Sequence, residues 1–267
     1  MSGPDLGVLA GHLDEETTAV LGAIDRASDA AWSSPTPSPG WSVADQVAHL
    51  AYFDEAATAS VRGREHFAPY LDEAVTLGTA LCDDVAARLR DRTPSELRGW
   101  WLEARTAMVA SMHAAGPSTR VAWYGPDYSV ASAMTGRIME TWAHGQDVYD
   151  ALGVAHPVTG ALYDVARLCA RTRANSYIAH GRSAPSTAVE VALVAPGGQV
   201  WTFGDDGGEG DAITGDAIEF CLVATQRRHR DDTALVAVGA AAHEWLGLAQ
   251  AFAGPPGAGR GRTGAAR

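Results

Sequence analysis

Lysine is absent from the 267-residue sequence, and all 20 basic residues are arginine. This absence excludes chemistry that needs a lysine amine, such as a Schiff base or the lysine of a phosphate-binding loop. Basic charge is also scarce relative to acidic charge, because 32 Asp and Glu against 20 Arg give a net charge of −12. A chain with this charge repels nucleic acids and anionic membrane surfaces, so we expect neither as a partner.

Long apolar runs and paired cysteines are also missing. No segment approaches the roughly 18 apolar residues of a membrane helix, and residues 1–16 lack the basic and apolar regions of a secretory signal. The three cysteines, Cys82, Cys169 and Cys221, are far apart, and each lies in an apolar helical pattern. This arrangement predicts reduced, buried thiols rather than disulfides. These absences indicate a cytoplasmic protein that acts on a small molecule, and they predict nothing about the oligomeric state.

Apolar residues recur at helical spacing through the first two thirds of the chain, and turn-forming residues separate the repeats. Ser42 begins one of these segments as an N-cap, and Asp45 follows three residues later in the position of a capping box. The periodicity predicts helices over residues 5–32, 42–62, 74–90, 94–114, 129–152 and 159–179.

The segment between the fourth and fifth of these helices, residues 116–127, is aromatic and rich in turn-forming residues. Its residues 121–126, Val-Ala-Trp-Tyr-Gly-Pro, fit both a plug of the core and the rim of a pocket, and we favour the core plug. Tyr124 in this segment and Tyr128 just after it are candidates to donate a hydrogen bond to a substrate oxygen.

The pattern changes after Gly181. Residues 187–194 and 200–203 have the alternation of strands, and a Gly-Gly pair between them supplies a hairpin turn. Further strands are predicted at 212–214 and 235–238, and further helices at 216–228 and 240–252. The sequence therefore predicts a mainly α protein with a helical bundle over 1–180, a small α+β domain over 181–253 and a disordered tail over 254–267.

Glu140 and His144 lie four residues apart on the predicted helix 129–152, so both side chains project from one face of that helix. Their neighbours are apolar, which indicates that this helix is enclosed, and an enclosed Glu and His require compensating partners. One histidine of this kind is more often a hydrogen-bonded structural residue than a ligand. His49, central in the predicted helix 42–62, is a second one. If the two helices face each other in a bundle, His49, Glu140 and His144 converge.

Two imidazoles and one carboxylate with an open fourth position form a ligand set that suits catalytic Zn²⁺, although Fe²⁺, Mn²⁺ and Ni²⁺ use similar donors. Asp45 and Asp147 lie one helical turn from His49 and His144, where each could hold the far ring nitrogen of its histidine. Asp45 also fits a carboxylate at a helix start, which is the interpretation that we favour. Asp147 fits an exposed charge equally well.

Residues 40–50, Gly-Trp-Ser-Val-Ala-Asp-Gln-Val-Ala-His-Leu, and 139–148, Met-Glu-Thr-Trp-Ala-His-Gly-Gln-Asp-Val, resemble the two metal-bearing motifs of the mycothiol-dependent maleylpyruvate isomerase superfamily. The resemblance implies a DinB-like, four-helix-type bundle that holds a divalent metal, commonly zinc, through His, Glu and His. It also implies a C-terminal domain with a fold similar to sterol carrier proteins. Matched residue by residue, the implied ligands are His49, Glu140 and His144.

The resemblance extends to residues 121–126 and 220–229, which are similar to segments of a largely uncharacterised actinobacterial branch. In the isomerase of this superfamily the thiol adds to an activated alkene, allows rotation and leaves, and other members transfer the thiol to electrophiles. A C-terminal arginine assists the isomerase, and Arg227 or Arg228 is its implied counterpart here. Each of these arginines also fits a helix-end residue that interacts with carbonyl groups.

We therefore expect a divalent-metal-dependent enzyme, with Zn²⁺ as the metal and mycothiol as a cosubstrate, that acts as an isomerase or a thiol transferase. The candidate catalytic residues are Arg227, Arg228 and Tyr124, and the two arginines are also the candidates for binding the carboxylate of the thiol. Two alternatives remain open at this point. One is a thiol-independent, metal-assisted isomerase, cyclase or hydrolase, and the other is a metal-bearing protein that sequesters a small molecule.

Overall fold

The computed structural model describes residues 5–204, 210–257 and 259–263, and it divides into two compact units, Met1–Ala161 and Leu162–Arg267. The boundary between the two units thus lies after Ala161. The change of sequence pattern instead suggests a boundary after residue 180. Helical periodicity shows that residues 161–179 form helices, but it does not show against which core they pack. The last of these helical residues pack on a helix of the second unit.

The first unit is helical. Its α-helices, with the bounds that the structure has, are α1 (Leu6–Asp25), α2 (Val43–Arg62), α3 (Arg64–Leu77), α4 (Leu81–Arg88), α5 (Pro94–Ala115) and α6 (Val130–Leu152). A short antiparallel ladder joins β1 (Arg120–Val121) to β2 (Tyr128–Ser129), just before α6. This ladder lies in the aromatic segment that shows no strand pattern in the sequence.

The long helices α1, α2, α5 and α6 pack into a bundle, with α2 against both α5 and α6 and with α1 against α6. Capping boxes begin α2 and α5, where Ser42 pairs with Asp45 and Thr93 pairs with Glu96. The bundle encloses an apolar core whose members include Val20, Ile24, Val47, Leu50, Leu97, Trp101, Val148 and Tyr149.

The region of α3 and α4 differs from its prediction. The predicted helix 74–90 is interrupted at Gly78, which has φ +54°, and a 3₁₀ turn separates α3 from α4 there. Helix α3 itself begins ten residues earlier than that prediction. The sequence gives little sign of α3, because Pro69 lies inside this helix and Phe67 is its only buried residue among those described.

The second unit combines helices and a sheet. In chain order it contains α7 (Ala161–Arg171), whose first residue closes the first unit, α8 (Arg173–Ala179), β3 (Val189–Val194), β4 (Val200–Phe203), β5 (Asp211–Asp216), α9 (Ala217–Ala224), β6 (Val236–Val238) and α10 (Ala240–Leu248). The strand order is β4-β3-β5-β6, with β3 and β5 parallel and the outer pairs antiparallel. The predicted mainly α architecture with a small C-terminal α+β region is confirmed.

The described residues of the predicted tail, 254–257 and 259–263, form no helix or strand. The backbone N–H of Thr263 donates to the Asp232 carboxylate at 2.7 Å, so this part of the segment contacts the second unit. Residues 258 and 264–267 lie outside the described residues, and disorder of the whole segment stays a prediction. Within the described residues, no helix is long and apolar enough to cross a membrane.

Candidate metal centre

The structure brings His49, Glu140 and His144 together across the interface of α2 and α6. Nε2 of His49 lies 3.6 Å from Oε2 of Glu140, and Nε2 of His144 lies 3.2 Å from the same oxygen. The two imidazole centroids are 4.2 Å apart. One donor atom of each residue lies within 4.8 Å of the others, which is the spacing that a shared metal ion requires.

The charge states of this cluster follow from its burial. Burial, assisted by the charge of His144, lowers the pKa of His49 to about 3, so this imidazole is neutral near pH 7. Burial alone raises the pKa of Glu140, but the hydrogen bonds and charges of His144 and His49 outweigh it and hold that pKa well below its usual value. The cluster therefore offers a neutral nitrogen and an anionic oxygen, which are donors that borderline divalent metals accept.

Gln46 holds the other ring nitrogen of His144. Its Oε1 lies 2.5 Å from Nδ1 of His144, and its Nε2 donates to the Thr36 hydroxyl at 2.9 Å. The Thr36 hydroxyl donates onward to the carbonyl of Trp41, so it accepts from Gln46, and this order assigns the Gln46 oxygen to His144. Nδ1 of His144 therefore carries a proton, which leaves Nε2, the nitrogen beside Glu140, as the atom that would bind a metal after losing any proton of its own.

The sequence suggested Asp147 as one candidate for that position, with an exposed charge as the equal alternative, and Gln46 was missed. Asp147 is fully buried, so the interpretation as an exposed charge is wrong, and its carboxylate accepts a hydrogen bond from the Ser38 hydroxyl at 3.0 Å. A signal for Gln46 was present, because it lies one turn before His49 within an apolar stretch of α2. A buried amide in such a stretch requires a polar partner.

Asp45 serves the start of α2, as the favoured interpretation states. Its Oδ2 accepts from the backbone N–H of Ser42 at 2.7 Å, and its Oδ1 lies 3.2 Å from Nε of Arg90. Nδ1 of His49 is buried, and it has no hydrogen-bond partner within the part of the chain that the structure describes. Within those residues, the far nitrogen of His49 thus lacks the support that His144 receives from Gln46.

Aromatic rings enclose the two histidines. The Trp41 ring stacks on His144 with centroids 6.1 Å apart, and the Phe53 ring lies 4.5 Å from His49. The indole N–H of Trp41 donates to Asp83 at 2.8 Å, which fixes that ring. These rings exclude water from one side of the cluster and lower the local dielectric, so the charge of Glu140 acts more strongly there.

Comparison with known proteins bears directly on this centre. The family model described as mycothiol maleylpyruvate isomerase N-terminal domain matches residues 13–149, a stretch that includes His49, Glu140 and His144. The chain belongs to this family. An uncharacterized protein of Mycobacterium tuberculosis, present in two strains, is 40% identical over 229 residues, which is 86% of this family member and 89% of that protein.

Solved structures extend the likeness to the fold. The crystal structure of a mycothiol-dependent maleylpyruvate isomerase matches this family member with a TM-score of 0.57 at 15% identity, and that of a mutant matches with a TM-score of 0.58 at 14% identity. Each match covers 88% of this chain and 95% of the other. At this level of identity the likeness shows a shared fold.

Tyr124 lies in an aromatic cluster of this family member rather than on an open rim. Its ring centroid is 5.1 Å from that of Phe67, 5.0 Å from that of Trp123 and 5.7 Å from that of Phe53, which itself contacts His49. This packing agrees with the core plug. The Tyr124 hydroxyl is buried with no hydrogen bond of normal geometry in the described residues, and burial raises its pKa, so the hydroxyl keeps its proton.

Arg227 and Arg228 follow α9 in the second unit. Nη1 of Arg227 donates to the carbonyl of Thr225 at 2.7 Å, which is the interaction expected of a helix-end arginine. Arg228 lines a surface pocket of the second unit together with His180, Arg230 and Arg260. Positive side chains thus line this pocket in an otherwise acidic protein. A catalytic or binding role of Arg227 or Arg228 stays a prediction.

The cysteines are free thiols, as predicted; Cys169 and Cys221 are buried, whereas Cys82 is only partly buried. Burial, together with the charge of Glu140, raises the pKa of Cys82 to about 12. Burial and the neighbouring Cys169 raise the pKa of Cys221 well above its usual value. A thiol that keeps its proton at neutral pH is a poor nucleophile, so Cys82 and Cys221 are unsuited to covalent catalysis.

Proposed function

We propose that this family member is a divalent-metal-dependent enzyme that uses a low-molecular-weight thiol of the mycothiol class. It either isomerises a small electrophilic substrate or transfers the thiol to it. The observation that carries this proposal is the convergence of His49, Glu140 and His144 within 4.8 Å, inside the stretch that matches the mycothiol maleylpyruvate isomerase family.

The residues present fit a metal ion. Nε2 of His49 and Nε2 of His144 would bind it together with a carboxylate oxygen of Glu140. A set of three protein ligands leaves one position open, which is typical of catalytic zinc, and we propose Zn²⁺ as the metal. When bound, the ion supplies Lewis acidity that polarises a carbonyl or lowers the pKa of a thiol.

The surrounding residues have separate roles in this proposal. Gln46 fixes the ring and tautomer of His144, so that Nε2 presents a lone pair. Glu140 neutralises part of the added positive charge. Trp41 and Phe53 exclude water beside the two imidazoles, which protects a reactive thiolate and its adduct from protonation by solvent.

The nucleophile in this proposal comes from the cosubstrate. Cys82 keeps its proton near pH 7 because burial raises its pKa to about 12, and Cys169 and Cys221 are buried in the second unit. In this proposal a separate thiol therefore supplies the nucleophile. It adds to an activated double bond of the substrate, rotation follows about the resulting single bond, and its departure restores the alkene.

Two further assignments complete the proposal. Arg227 or Arg228 binds the carboxylate of the thiol, because a planar guanidinium makes two parallel hydrogen bonds to a carboxylate. The Tyr124 hydroxyl donates to a substrate oxygen, since burial raises its pKa and the hydroxyl therefore keeps its proton.

Metal analysis tests the centre. We expect about one divalent metal per purified chain, and a strong loss of metal in His49→Ala and in His144→Ala. His66→Ala is the matched control, because this histidine is partly exposed on α3 and lies outside the cluster. Full metal content with unchanged affinity in both site variants shows that the ligands are misassigned. Removal of the metal by a chelator leaves the helical circular dichroism signal intact, because the bundle has an apolar core of its own.

Thiol dependence tests the chemistry. The metal-loaded protein is freed of small thiols and assayed with activated alkenes and other electrophiles, with and without added mycothiol. Turnover that requires mycothiol supports the proposal. Turnover in its rigorous absence identifies a thiol-independent metal enzyme. Absence of turnover with every electrophile, together with tight binding of an apolar ligand, identifies a binding protein.

A further inference from the structure

Asp54 on α2 accepts hydrogen bonds from two arginines in the interior of the first unit. Arg105 of α5 donates from Nε at 2.7 Å, and Arg137 of α6 donates from Nε at 2.9 Å. The side chains of Asp54, Arg105 and Arg137 are 0%, 7% and 4% exposed. Arginine stays protonated in proteins, so two positive charges share the carboxylate of Asp54.

The surroundings of Arg105 satisfy it locally. Its terminal nitrogens donate to the hydroxyls of Thr17 at 2.6 Å and of Thr141 at 3.0 Å. The buried carboxylate of Glu16 also acts on its charge. Arg105 thus has a second acidic neighbour, supplied by α1.

Arg137 instead adjoins the candidate metal centre. It lies one helical turn before Glu140, on the same face of α6. Its Nη2 donates to the carbonyl of Leu50 at 3.2 Å, the residue that follows His49 on α2. At the α2–α6 interface, the contact of Arg137 with Asp54 therefore lies one turn from the contact of Glu140 with His49.

This placement has an electrostatic consequence. A divalent cation bound by one carboxylate and two neutral imidazoles keeps a net positive charge. The guanidinium of Arg137 adds a second positive charge one turn away, in a buried region where charges are poorly screened. Because Asp54 and Leu50 hold the guanidinium in place, no reorganisation is needed when negative charge arrives at the centre.

We infer that Arg137, positioned by Asp54, makes the open position of the metal centre favour an anionic ligand over a neutral one of similar size. The inference rests on the proposed function, and it specifies the ligand class as a monoanion such as a thiolate. Arg137 acts through its charge, and its guanidinium stays bound to Asp54 and Leu50. Arg137 therefore influences the ligand without touching it.

Ligand binding to the Co²⁺-loaded protein tests this inference without an activity assay. Azide serves as a monoanionic probe and imidazole as a neutral one, and the visible absorption of Co²⁺ reports both. We expect Arg137→Gln to raise the Kd of azide at least about tenfold, which is about 1.4 kcal/mol, and to leave the Kd of imidazole within about twofold. Arg137→Lys, which keeps the charge, retains most of the azide affinity.

Arg105→Gln is the matched control, because it removes the other buried guanidinium bound to Asp54. We expect it to lower stability and to leave azide affinity within about threefold. Asp54→Asn keeps an oxygen that can accept the hydrogen bond of Arg137 but removes a negative charge. It should therefore tighten azide binding, an outcome that a loosened site does not produce. It therefore remains informative if Arg137→Gln fails to fold.

The outcomes separate this inference from the proposed metal centre. Equal losses of azide and imidazole affinity in Arg137→Gln, or an equal loss of azide affinity in Arg105→Gln, show a purely structural role and overturn the inference. Stoichiometric Co²⁺ binding with unchanged azide affinity in Arg137→Gln also overturns it and leaves the metal centre standing. Failure of the wild-type protein to bind Co²⁺ overturns both.

Discussion

Gln46 and His144 connect α2 to α6 through a hydrogen bond between Oε1 of the amide and Nδ1 of the imidazole. The pair joins residues 98 positions apart in the chain. Because the amide nitrogen of Gln46 is committed to Thr36, only its oxygen faces the ring. The bond therefore keeps a proton on Nδ1 of His144 and leaves Nε2, which lies beside Glu140, as the nitrogen that can bind a metal.

Replacement of Gln46 tests whether this bond supports metal binding. We expect Gln46→Leu to weaken metal affinity by about tenfold to a hundredfold, as loss of a partner behind a metal-binding histidine generally does. Competition with a chromophoric chelator measures the change. Gln146→Leu is the matched control, because Gln146 is a largely buried amide on α6 that contacts His156 instead. Equal affinities of wild type and Gln46→Leu contradict the role.

Asp45 provides the opposite case. Its carboxylate lies one turn from the candidate ligand His49, but it binds the backbone at the start of α2. Asp45→Ala removes the capping box at Ser42 and the ion pair with Arg90, and we expect it to lower the free energy of unfolding by about 1–2 kcal/mol. Metal content should not change. Urea unfolding and metal analysis measure the two effects.

Glu96→Ala offers a comparison for this effect, because Glu96 occupies the equivalent capping-box position of α5 and is exposed, whereas Asp45 is buried. We expect a smaller loss of stability there. A drop in metal affinity of more than tenfold in folded Asp45→Ala would assign this carboxylate to the orientation of His49.

The arginines after α9 test the proposed recognition of the thiol. We expect Arg227→Ala or Arg228→Ala to leave metal content intact and to raise KM for the thiol or lower turnover by at least roughly tenfold, about 1.4 kcal/mol. Arg262→Ala is the control, because Arg262 is an exposed arginine of the same unit that lies near Asp231. If the kinetics of both Arg227→Ala and Arg228→Ala are unchanged, neither arginine takes part and the reaction depends on residues of the helical bundle.

Alkylation tests the state of Cys82. Burial raises the pKa of this thiol to about 12, so the reactive thiolate is scarce at pH 8 and appears only as the pH approaches that pKa. We expect iodoacetamide to label Cys82 at least about a hundredfold more slowly in the native protein than in denaturant. Peptide mapping by mass spectrometry measures the rate. Equal rates in both states contradict the burial.

Many of the correct predictions of secondary structure and of the site came from the spacing of residues that are close in the sequence. The four-residue interval between Glu140 and His144 is enough to place both on one face of a helix, and the Ser42–Asp45 pattern is enough to begin α2 at the right residue. The alternation of residues 200–203 predicts β4 with its observed bounds. These features depend on contacts within a few residues, so the sequence by itself determines them.

Features that depend on packing were not predictable in the same way. Helix α3 has one buried residue among those described and an internal proline, so neither apolar period nor propensity marks it. Whether Asp147 is buried depends on where Ser38 lies, because that residue is distant in sequence and supplies the hydroxyl that satisfies the carboxylate.

The sequence by itself determined which residues share a helix face, and therefore that Glu140 and His144 form a pair. Only the tertiary structure decided which groups oppose that face: His49 across α2, Gln46 behind His144, and the Asp54–Arg137 pair one turn away. The physical reason is that hydrogen bonds and charge pairs between helices depend on the rotation and register of one helix against another. Those quantities are set by the packing of the whole core and not by the residues near each site.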